Sequence, residues 1–506
     1  MESWSLTGRA RAARLALALV PCAALAALAV GGTAAGQAAA GDARGAPAGR
    51  AATAPPGWQQ ARQMPGTEAM TKQAESNDGK SFVDTALTSV ACPARGDCAA
   101  SGGYVTGGFN FLVFAASQHA GKWAKAAALP GVAALVGQGG VAGSDEIWGG
   151  TFLSQVSCSA AGNCAVGGEY QDPKTELTHP LVDSEKGGVR GKVHPVSGQA
   201  TALLAISCPA AAGDCAAGGL RQPPSTNAGG AFVVSEKGGV WGAPQQVAGT
   251  SDPITTMSCA AAGNCVAGGP GTAFLVSERS GHWAAARAVP GLSKLAGTGR
   301  SSVDSVSCAA AGDCTAGGSY TDTAGRTQVW VATERGGVWG NAEALPGLAA
   351  LNPGGLAKVA QVSCVKAGSC TAGGTYGTTA HRQFTLGWVA TETGGKWGKA
   401  ETVPGLKALN TAGLGAVSSV SCDATECAAG GSYTTSKPTR VHAFLVTGHG
   451  GRWGQAAQPP GLAALNAGGE AGVTSVSCAP GDWCTAVGTY SDATEFAASM
   501  FVVSQR

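Results

Sequence analysis

The chain has 506 residues, of which 13% are charged, and its formal net charge is +2. No basic block or acidic tail stands out, so a nucleic acid is not an expected partner, because binding to phosphates requires clustered lysine and arginine. The eighty glycines recur at fixed places, which indicates turns rather than low-complexity sequence.

The N-terminus has the pattern of an export signal. Three arginines within the first fourteen residues precede an apolar run over residues 15–30, and small residues follow, with candidate cleavage points after Ala35 or Ala40. We expect residues 1–40 to be a signal peptide and residues 41–54 a disordered linker. The run is too short for a convincing membrane span, so the mature chain is predicted to be secreted, with no membrane span after cleavage.

Residues 55–506 consist of repeats, and the clearest copy runs from Ser305 to Gly347. The first apolar run of each copy ends at a cysteine. After a tight turn, the second begins at the next cysteine and ends in Gly-Gly. The third is apolar, as in residues 328–333, and a further Gly-Gly turn leads to the fourth, which ends at Pro-Gly. Short runs rich in Val, Phe, Thr and Trp and bounded by glycine indicate four strands per copy. Single helical turns are expected only in connections, at residues 346–352, 404–410 and 460–466.

Sixteen cysteines remain when Cys22 of the signal is set aside, and they fall into eight close pairs. Even pairing in an exported chain predicts disulfides, and spacers of mostly five residues do not suit zinc, so no metal is expected. Each bridge is expected to close a five-residue hairpin turn between the end of the first strand and the start of the second, which stabilises the fold by about 2 kcal/mol in the chain-entropy model. The predicted pairs are Cys92/Cys98, Cys158/Cys164, Cys208/Cys215, Cys259/Cys265, Cys308/Cys314, Cys364/Cys370, Cys422/Cys427 and Cys478/Cys484.

The two ends of the repeat region complement each other. The last copy stops after its third strand at residues 501–506, whereas residues 55–66 match a fourth strand. Pairing the two ends removes two exposed sheet edges. The sequence therefore predicts an all-β fold: a single eight-bladed β-propeller of four-stranded blades, its ring closed by the N-terminal strand, which completes the last blade. A tryptophan expected to pack within the blade occupies the fourth strand in seven copies, and Arg190 replaces it in the second.

The turn between the third and fourth strands reads SEKGGVW at residues 235–241 and recurs with small changes. It resembles a degenerate Asp-box, the turn of sialidase-type propellers, but Lys237, Arg279, Arg335 or Thr393 stands where that box has aspartate. The whole unit resembles repeats of uncharacterised secreted actinobacterial propeller proteins. The resemblance implies a fold and a Gram-positive type of export, and it implies no chemistry.

Candidate catalytic groups do not stand apart from the repeat. All six tyrosines sit at or just after the Gly-Gly that ends the second strand, so none is spare to act as a sialidase nucleophile. The seven histidines share no repeat register and no ligand spacing, and most of them are expected to be loop residues. No phosphate loop or nucleophile elbow is present, and no cofactor is expected.

Variable loops between the second and third strands and between blades lie on one face of a propeller, and function usually lies on such loops. The longest connection between blades carries Asp145, Glu146, Trp148 and Phe152, which combine acidic and aromatic groups outside the repeat. We take these four residues as the candidate contact patch.

These observations favour an extracellular, non-enzymatic binding or scaffold protein, expected to be a monomer, that recognises a protein or a glycan through its loop-rich face. The alternative is a secreted hydrolase or lyase that acts on polysaccharide with loop carboxylates. A purely structural envelope component is the third possibility. An enzyme of the second kind requires two acidic side chains roughly 5–10 Å apart at the channel mouth.

Overall fold

In the computed structural model, all the described residues lie in one compact unit, within residues 46–506. The structure describes residues 57–75, 85–105, 111–136, 155–172, 178–210, 214–222, 229–297, 299–379, 384–492 and 498–505. Eight antiparallel sheets form the eight blades of a β-propeller, and each blade contains strands A to D, which follow chain order in blades 1 to 7. The predicted fold class is therefore confirmed.

Strands A and B form the inner hairpin of each blade. Strand A, in blades 1 to 8, covers Ala86–Ala94, Gln155–Ala160, Ala200–Ser207, Thr256–Ala261, Ser305–Ala310, Lys358–Lys366, Gly415–Cys422 and Ala471–Ala479. Strand B covers Asp97–Val105, Asn163–Gln171, Ala216–Arg221, Asn264–Gly269, Asp313–Thr321, Ser369–Gly377, Glu426–Ser436 and Trp483–Ser491.

Strands C and D form the outer half of each blade. Strand C covers Phe111–His119, Thr178–Lys186, Gly230–Lys237, Phe274–Arg279, Thr327–Arg335, Thr385–Thr393, Thr439–His449 and Ala498–Ser504. The first part of strand D, in blades 1 to 7, covers Lys122–Trp123, Val189–Arg190, Val240–Trp241, His282–Trp283, Val338–Trp339, Lys396–Trp397 and Arg452–Trp453. Its second part covers Ala127–Ala128, His194–Pro195, Gln245–Val247, Arg287–Ala288, Glu343–Ala344 and Glu401–Thr402 in blades 1 to 6, and Arg62–Gln63 in blade 8.

The fourth strand is divided in two, which the sequence did not predict. In blade 5, Trp339 pairs with Glu334 and Ala344 pairs with Trp330, but the residues between them leave the ladder. The reason is a competing partner: the Ala342 N–H donates to the carbonyl of Pro290 in the preceding blade at 2.7 Å.

The ring closes as expected. Trp58 forms a bridge with Gln505, and Arg62 and Gln63 pair antiparallel with Val502 and Phe501. The N-terminal segment is therefore strand D of blade 8. Trp58 is only 6% exposed, so closure buries an aromatic side chain as well as forming backbone hydrogen bonds.

All eight predicted disulfides are present, with Cα atoms 3.9–4.1 Å apart. They are Cys92–Cys98, Cys158–Cys164, Cys208–Cys215, Cys259–Cys265, Cys308–Cys314, Cys364–Cys370, Cys422–Cys427 and Cys478–Cys484. In blade 5, the two cysteines are direct partners in the register of strands A and B. This close approach allows a cystine to bridge the hairpin.

The predicted first residue of strand B is wrong by one position. Strand B was expected to begin at this cysteine, but in blade 3 it begins one residue after Cys215, and in the other blades one residue before it. Those seven cysteines are Cys98, Cys164, Cys265, Cys314, Cys370, Cys427 and Cys484. All of them except Cys427 are at most 5% exposed. In seven blades, the second cysteine is therefore the second residue of strand B rather than its first.

The five-residue hairpin turn is wrong for the same reason. In blade 5 the strands continue to pair beyond the cystine, through a bulge, as far as Ala310 and Asp313. Only residues 311–312 then remain for the turn, and Gly312 adopts a positive φ of 81°. A bulge adds a residue to one strand, so a cysteine spacer of five residues accommodates a much tighter turn.

One glycine of strand B makes room for the blade core. The glycine four residues after the strand B cysteine faces a large side chain of strand C in every blade, as Gly318 faces the buried Trp330. A Cβ on Gly318 would lie 1.9 Å from the carbonyl oxygen of Ser302 and 2.8 Å from the Trp330 ring. A side chain at this position is sterically excluded.

Short helices lie in the connections between blades. The three expected turns form helices Leu348–Leu351, Leu406–Leu409 and Leu462–Leu465, and three further helices cover Thr67–Glu75, Val132–Val136 and Leu292–Ala296. After the first of these turns, Asn352 donates to the Thr327 carbonyl and accepts from the N–H of Gly377 in the next blade. The helical turns therefore connect the loop-bearing ends of adjacent blades.

Two repeated sets of hydrogen bonds join neighbouring blades. In the inner seam, a strand A serine accepts from the N–H of the next blade's first cysteine at 2.9–3.0 Å; the Ser–Cys pairs are Ser157–Cys208, Ser207–Cys259, Ser258–Cys308, Ser307–Cys364, Ser363–Cys422, Ser421–Cys478 and Ser477–Cys92. In the outer seam, the N–H three residues after the tryptophan position of strand D donates at 2.7–2.9 Å to a carbonyl of the preceding blade; the donor–acceptor pairs are Ala61–Pro460, Ala126–Pro65, Val193–Pro130, Ala286–Ala248, Ala342–Pro290, Ala400–Pro346 and Ala456–Pro404.

The A–B and C–D turns lie on one face, which we call the turn face. In blade 5 the N–H of Gly337 in the C–D turn donates to the carbonyl of Gly312 in the A–B turn at 2.9 Å, and blades 1, 2, 4 and 6 have the same bond. The opposite face, which carries the B–C and inter-blade connections, is the loop face.

Candidate functional site

The junction between blades 2 and 3 departs from the repeat at three positions. Arg190 occupies the tryptophan position of strand D, and Asp183 on strand C occupies a position that is apolar in the other blades, such as Val234 in blade 3. The third change is Pro244. It has the same repeat position as Ala342 of blade 5, whose N–H donates to Pro290 of the preceding blade. Proline has no N–H, so the outer seam loses its bond here.

Arg190 is held by two carboxylates of its own blade. Its guanidinium lies 2.9 Å from Asp183 Oδ2 and 2.6 Å from Glu185 Oε2, and the side chain is 15% exposed. Burial raises the pKa of Asp183 to about 6, although the Arg190 charge acts in the opposite direction. The Arg–Asp combination therefore replaces the apolar packing of the other blades with a buried ion-paired cluster.

A cavity of about 570 Å³ opens at this junction, and we call it the junction groove. Its lining from blade 2 includes Asp183, Lys186, Arg190, Lys192 and His194. Blade 3 contributes Gly239, Val240 and Trp241. Val189 and Val240 are 72% and 71% exposed, so the rim is partly apolar.

A second cavity of about 260 Å³ is lined by blade 3 and by residues 198–199 of the connection that enters it from blade 2. It contains Gln199, Gln245 and Gln246, together with Arg221 and Pro244. Residues 242–243 separate the two linings in sequence, since Trp241 borders the first cavity and Pro244 the second. The junction with the altered outer seam is thus accompanied by two neighbouring cavities.

The inner seam remains intact at this junction. The N–H of Cys208 donates to Ser157 Oγ at 2.9 Å, and Gln155 also bonds Leu204 and Ile206 of blade 3. The two blades are therefore fixed near the axis, and the groove lies between their outer strands, which remain in contact through Trp241 and Ser184.

Basic residues that replace the aspartate of the Asp-box contact the C–D turn of the next blade. Lys186 Nζ lies 2.6 Å from the carbonyl oxygen of Gly238, in the C–D turn of the next blade. Arg279 likewise donates to Gly337 at 2.7 Å and forms a 3.0 Å ion pair with Glu334. These side chains reach across junctions on the turn face, a contact that sequence comparison within one repeat did not indicate.

Two other cavities lie at regular junctions. One of about 400 Å³ borders Glu278, Arg279 and Glu334 between blades 4 and 5, and one of about 310 Å³ borders Arg62 and Arg95 between blades 8 and 1. Both are smaller than the junction groove.

Asp145, Glu146, Trp148 and Phe152 lie outside the described residues. The contact patch that they were expected to form therefore stays a prediction. Arg190 was visible in the sequence as an exception to the tryptophan pattern, but its ion pairs and the groove beside it were not predicted.

Carboxylates also accept backbone hydrogen bonds across junctions at the inner strands. Burial raises the pKa of Glu169 to about 8, while the backbone N–H of Leu203 in blade 3, which donates to it, acts to lower it. Burial also raises the pKa of Asp304, which accepts from the backbone of Val359 in blade 6. Each carboxylate is thus used to join neighbouring blades.

Most histidines were expected in loops, and this is wrong: strands contain His119, His179, His194, His282, His442 and His449. The expectation that the histidines share no register is also wrong for two pairs. His179 and His442 both lie opposite the strand B tyrosine, with ring centroids 5.6 Å from Tyr170 and 5.2 Å from Tyr433. His119 and His449 both end strand C. Strand pairing, rather than spacing along the chain, reveals this equivalence.

In the described parts of the chain, no group of three histidine, cysteine, aspartate or glutamate residues is arranged to hold a metal ion. In the same residues, no helix has the length and apolar character needed to span a membrane.

No protein-family model and no curated protein matches this chain. Among solved structures, an ulvan lyase is similar with a TM-score of 0.42 and 8% identity, covering 83% of this chain and 94% of its own. The WD40 repeats of RRP9 give 0.39 and 10%, covering 88% and 98%. The Hadza microbial sialidase Hz136 gives 0.36 and 9%, covering 70% and 65%. At these identities the likeness concerns the fold alone.

Proposed function

We propose that this protein is an extracellular, non-enzymatic binding or scaffold propeller that recognises a protein or a glycan. Eight disulfides are consistent with an extracellular protein. Residues 1–40 serve in this proposal as the export signal, residues 41–54 as a linker, and the mature chain as a monomer.

The observation that carries the proposal is the junction between blades 2 and 3. The ring keeps its inner seam there while its periphery opens into a groove of about 570 Å³ with exposed basic and apolar side chains. A cavity built on a rigid scaffold with a few placed polar groups is typical of a binding site. The loop patch of Asp145, Glu146, Trp148 and Phe152 is proposed as a second contact region.

The carboxylates at this groove are engaged in structural contacts. Asp183 and Glu185 are both ion-paired with Arg190 and only 1% and 3% exposed. This arrangement favours binding over the alternative of polysaccharide hydrolysis or lysis.

The test is a binding screen with the mature, oxidised protein against immobilised cell-wall polysaccharides, a glycan array and extracellular proteins. Saturable binding without product formation is expected. New reducing ends or unsaturated sugars in the same samples would support the hydrolase or lyase. Absence of binding to every class would contradict the proposal and favour a purely structural envelope component.

A further inference from the structure

We propose that the junction groove binds an acidic oligosaccharide, a sugar chain carrying carboxylate groups. This inference rests on the proposed binding function and assigns it a site and a ligand class. It follows from the charge, the polar lining and the edge chemistry of blades 2 and 3.

The accessible charge of the groove is positive. Lys186, Lys192 and His194 are exposed, whereas the one carboxylate in the lining, Asp183, is 1% exposed and paired with Arg190. Within the described part of the chain, Lys192 forms no ion pair, and Lys186 donates to a backbone carbonyl rather than to a carboxylate. The Lys186 charge also acts on the buried Glu236, so the Lys192 ammonium is the group whose charge is available to an anion in solvent.

The neighbouring cavity suits the uncharged part of a sugar chain. Gln199, Gln245 and Gln246 are exposed there, and amides both donate to and accept from hydroxyl groups. Val189 and Val240 offer apolar contact for the C–H faces of a sugar ring. Charge recognition at one end and hydroxyl recognition at the other match a chain of acidic sugars.

The edge chemistry disfavours an extended peptide. A peptide commonly binds a sheet edge as an added strand, which requires free backbone N–H groups. Pro195 lies in strand D of blade 2, and Pro244 directly precedes the second part of strand D in blade 3. Pro244 removes a donor where blade 3 meets the preceding blade, and Pro195 removes one from the outer strand of blade 2.

The walls of the groove are fixed before a ligand arrives. Trp241 is 7% exposed, and its Nε1 donates to Ser184 Oγ at 3.0 Å, which in turn donates to Glu236 at 3.0 Å. The cystine Cys208–Cys215 holds the inner hairpin of blade 3. Such preorganisation limits the ordering cost of binding.

The experiment measures binding of the mature protein to a galacturonic acid oligomer by titration calorimetry, beside an uncharged galactose oligomer and a poly-glutamate peptide. The variants are K192Q with H194Q, and K399Q as a matched control. Lys399 is exposed at the same repeat position in blade 6. We expect the paired variant to weaken galacturonate binding about tenfold or more, because loss of the charge-assisted hydrogen bond from Lys192 is by itself worth about that factor. K399Q should bind like the parent protein.

Several outcomes overturn this inference. They are failure of the galacturonate oligomer to bind, equal affinity for the uncharged oligomer, stronger binding of the peptide, or equal loss in K399Q. If a neutral glycan or a protein binds instead, the acidic-glycan assignment fails and the proposed binding function stands. If the screen described above finds no binding of any kind, the proposed function itself fails.

Discussion

The hydroxyl oxygen of Ser307 lies 2.9 Å from the backbone nitrogen of Cys364, one blade further around the ring. Strand A is the inner edge of its sheet, so its outward N–H groups have no strand partner within the blade. A serine of the preceding blade supplies the acceptor. The serine that directly precedes the first cysteine in seven blades is thereby explained as the joint between blades, and the cysteine is both a disulfide partner and a hydrogen-bond donor.

Replacing Ser307 with alanine removes this acceptor and leaves a partly buried N–H without it. We expect S307A to lower the free energy of unfolding by about 1–3 kcal/mol, measured by chemical denaturation under oxidising conditions. An unchanged stability, with the disulfides intact, would show that the inner seam does not contribute to stability.

Blade 1 provides the converse change. Ala91 occupies the serine position there, so this junction lacks the serine acceptor that the inner seam has elsewhere, although Ser89 Oγ accepts from the Val156 N–H at 3.2 Å and Ser117 donates to Glu185 of blade 2 at 2.7 Å. We expect A91S to raise the free energy of unfolding by about 0.5–1.5 kcal/mol, since it restores the regular acceptor. Thermal unfolding of A91S beside the parent protein checks this, and a lower midpoint would contradict it.

The ion-paired cluster of blade 2 predicts strong non-additivity. R190A leaves the buried Asp183 and Glu185 without their cation, so a loss of about 3–5 kcal/mol is expected. The double variant D183V/R190W gives blade 2 the residues that blade 3 has at these positions, Val234 and Trp241. We expect it to be as stable as the parent protein or more stable. A double-mutant cycle measures the coupling, and additive losses would contradict the ion-pair description.

Glu169 predicts a pH dependence. Its pKa is raised from 4.5 to about 8 in the folded chain, so the folded state binds the proton more tightly than the unfolded state. This group's contribution to stability is therefore fully present below pH 4.5 and is lost as the pH rises to about 8. We expect E169Q to flatten this part of the stability profile. Parallel profiles for E169Q and the parent protein would rule out the effect.

Ring closure predicts the behaviour of a truncated chain. A chain that begins at Thr67 lacks strand D of blade 8 and exposes the paired edge at Phe501 and Val502. It should unfold at a lower temperature and self-associate, because an open apolar edge pairs with other chains. Light scattering and thermal unfolding test this, with a chain beginning at residue 55 as the control. Rescue by a peptide of residues 57–66 would identify closure as the cause.

The sequence determined the parts of the fold that depend on contacts within one repeat or between its two ends. The cysteine pairing located the A–B hairpins, the Gly-Gly pairs located the turns, and the unmatched segment around Trp58 located the closure. These features are set by residues whose partners follow from strand alternation and hairpin geometry. They could be read from a single chain because the same pattern recurs eight times. The exact ends of the strands could not, because a bulge beside the cystine changes how many residues the turn contains.

Only the tertiary structure decided how one blade faces the next. The division of strand D, the reach of Lys186 to Gly238 and the groove beside Arg190 all depend on contacts between side chains and backbone groups of different blades. Such contacts lie about one repeat apart in sequence, and no spacing rule specifies which edge groups will meet. Arg190 stood out in the sequence as an exception, but the geometry of its junction is what makes it a candidate site.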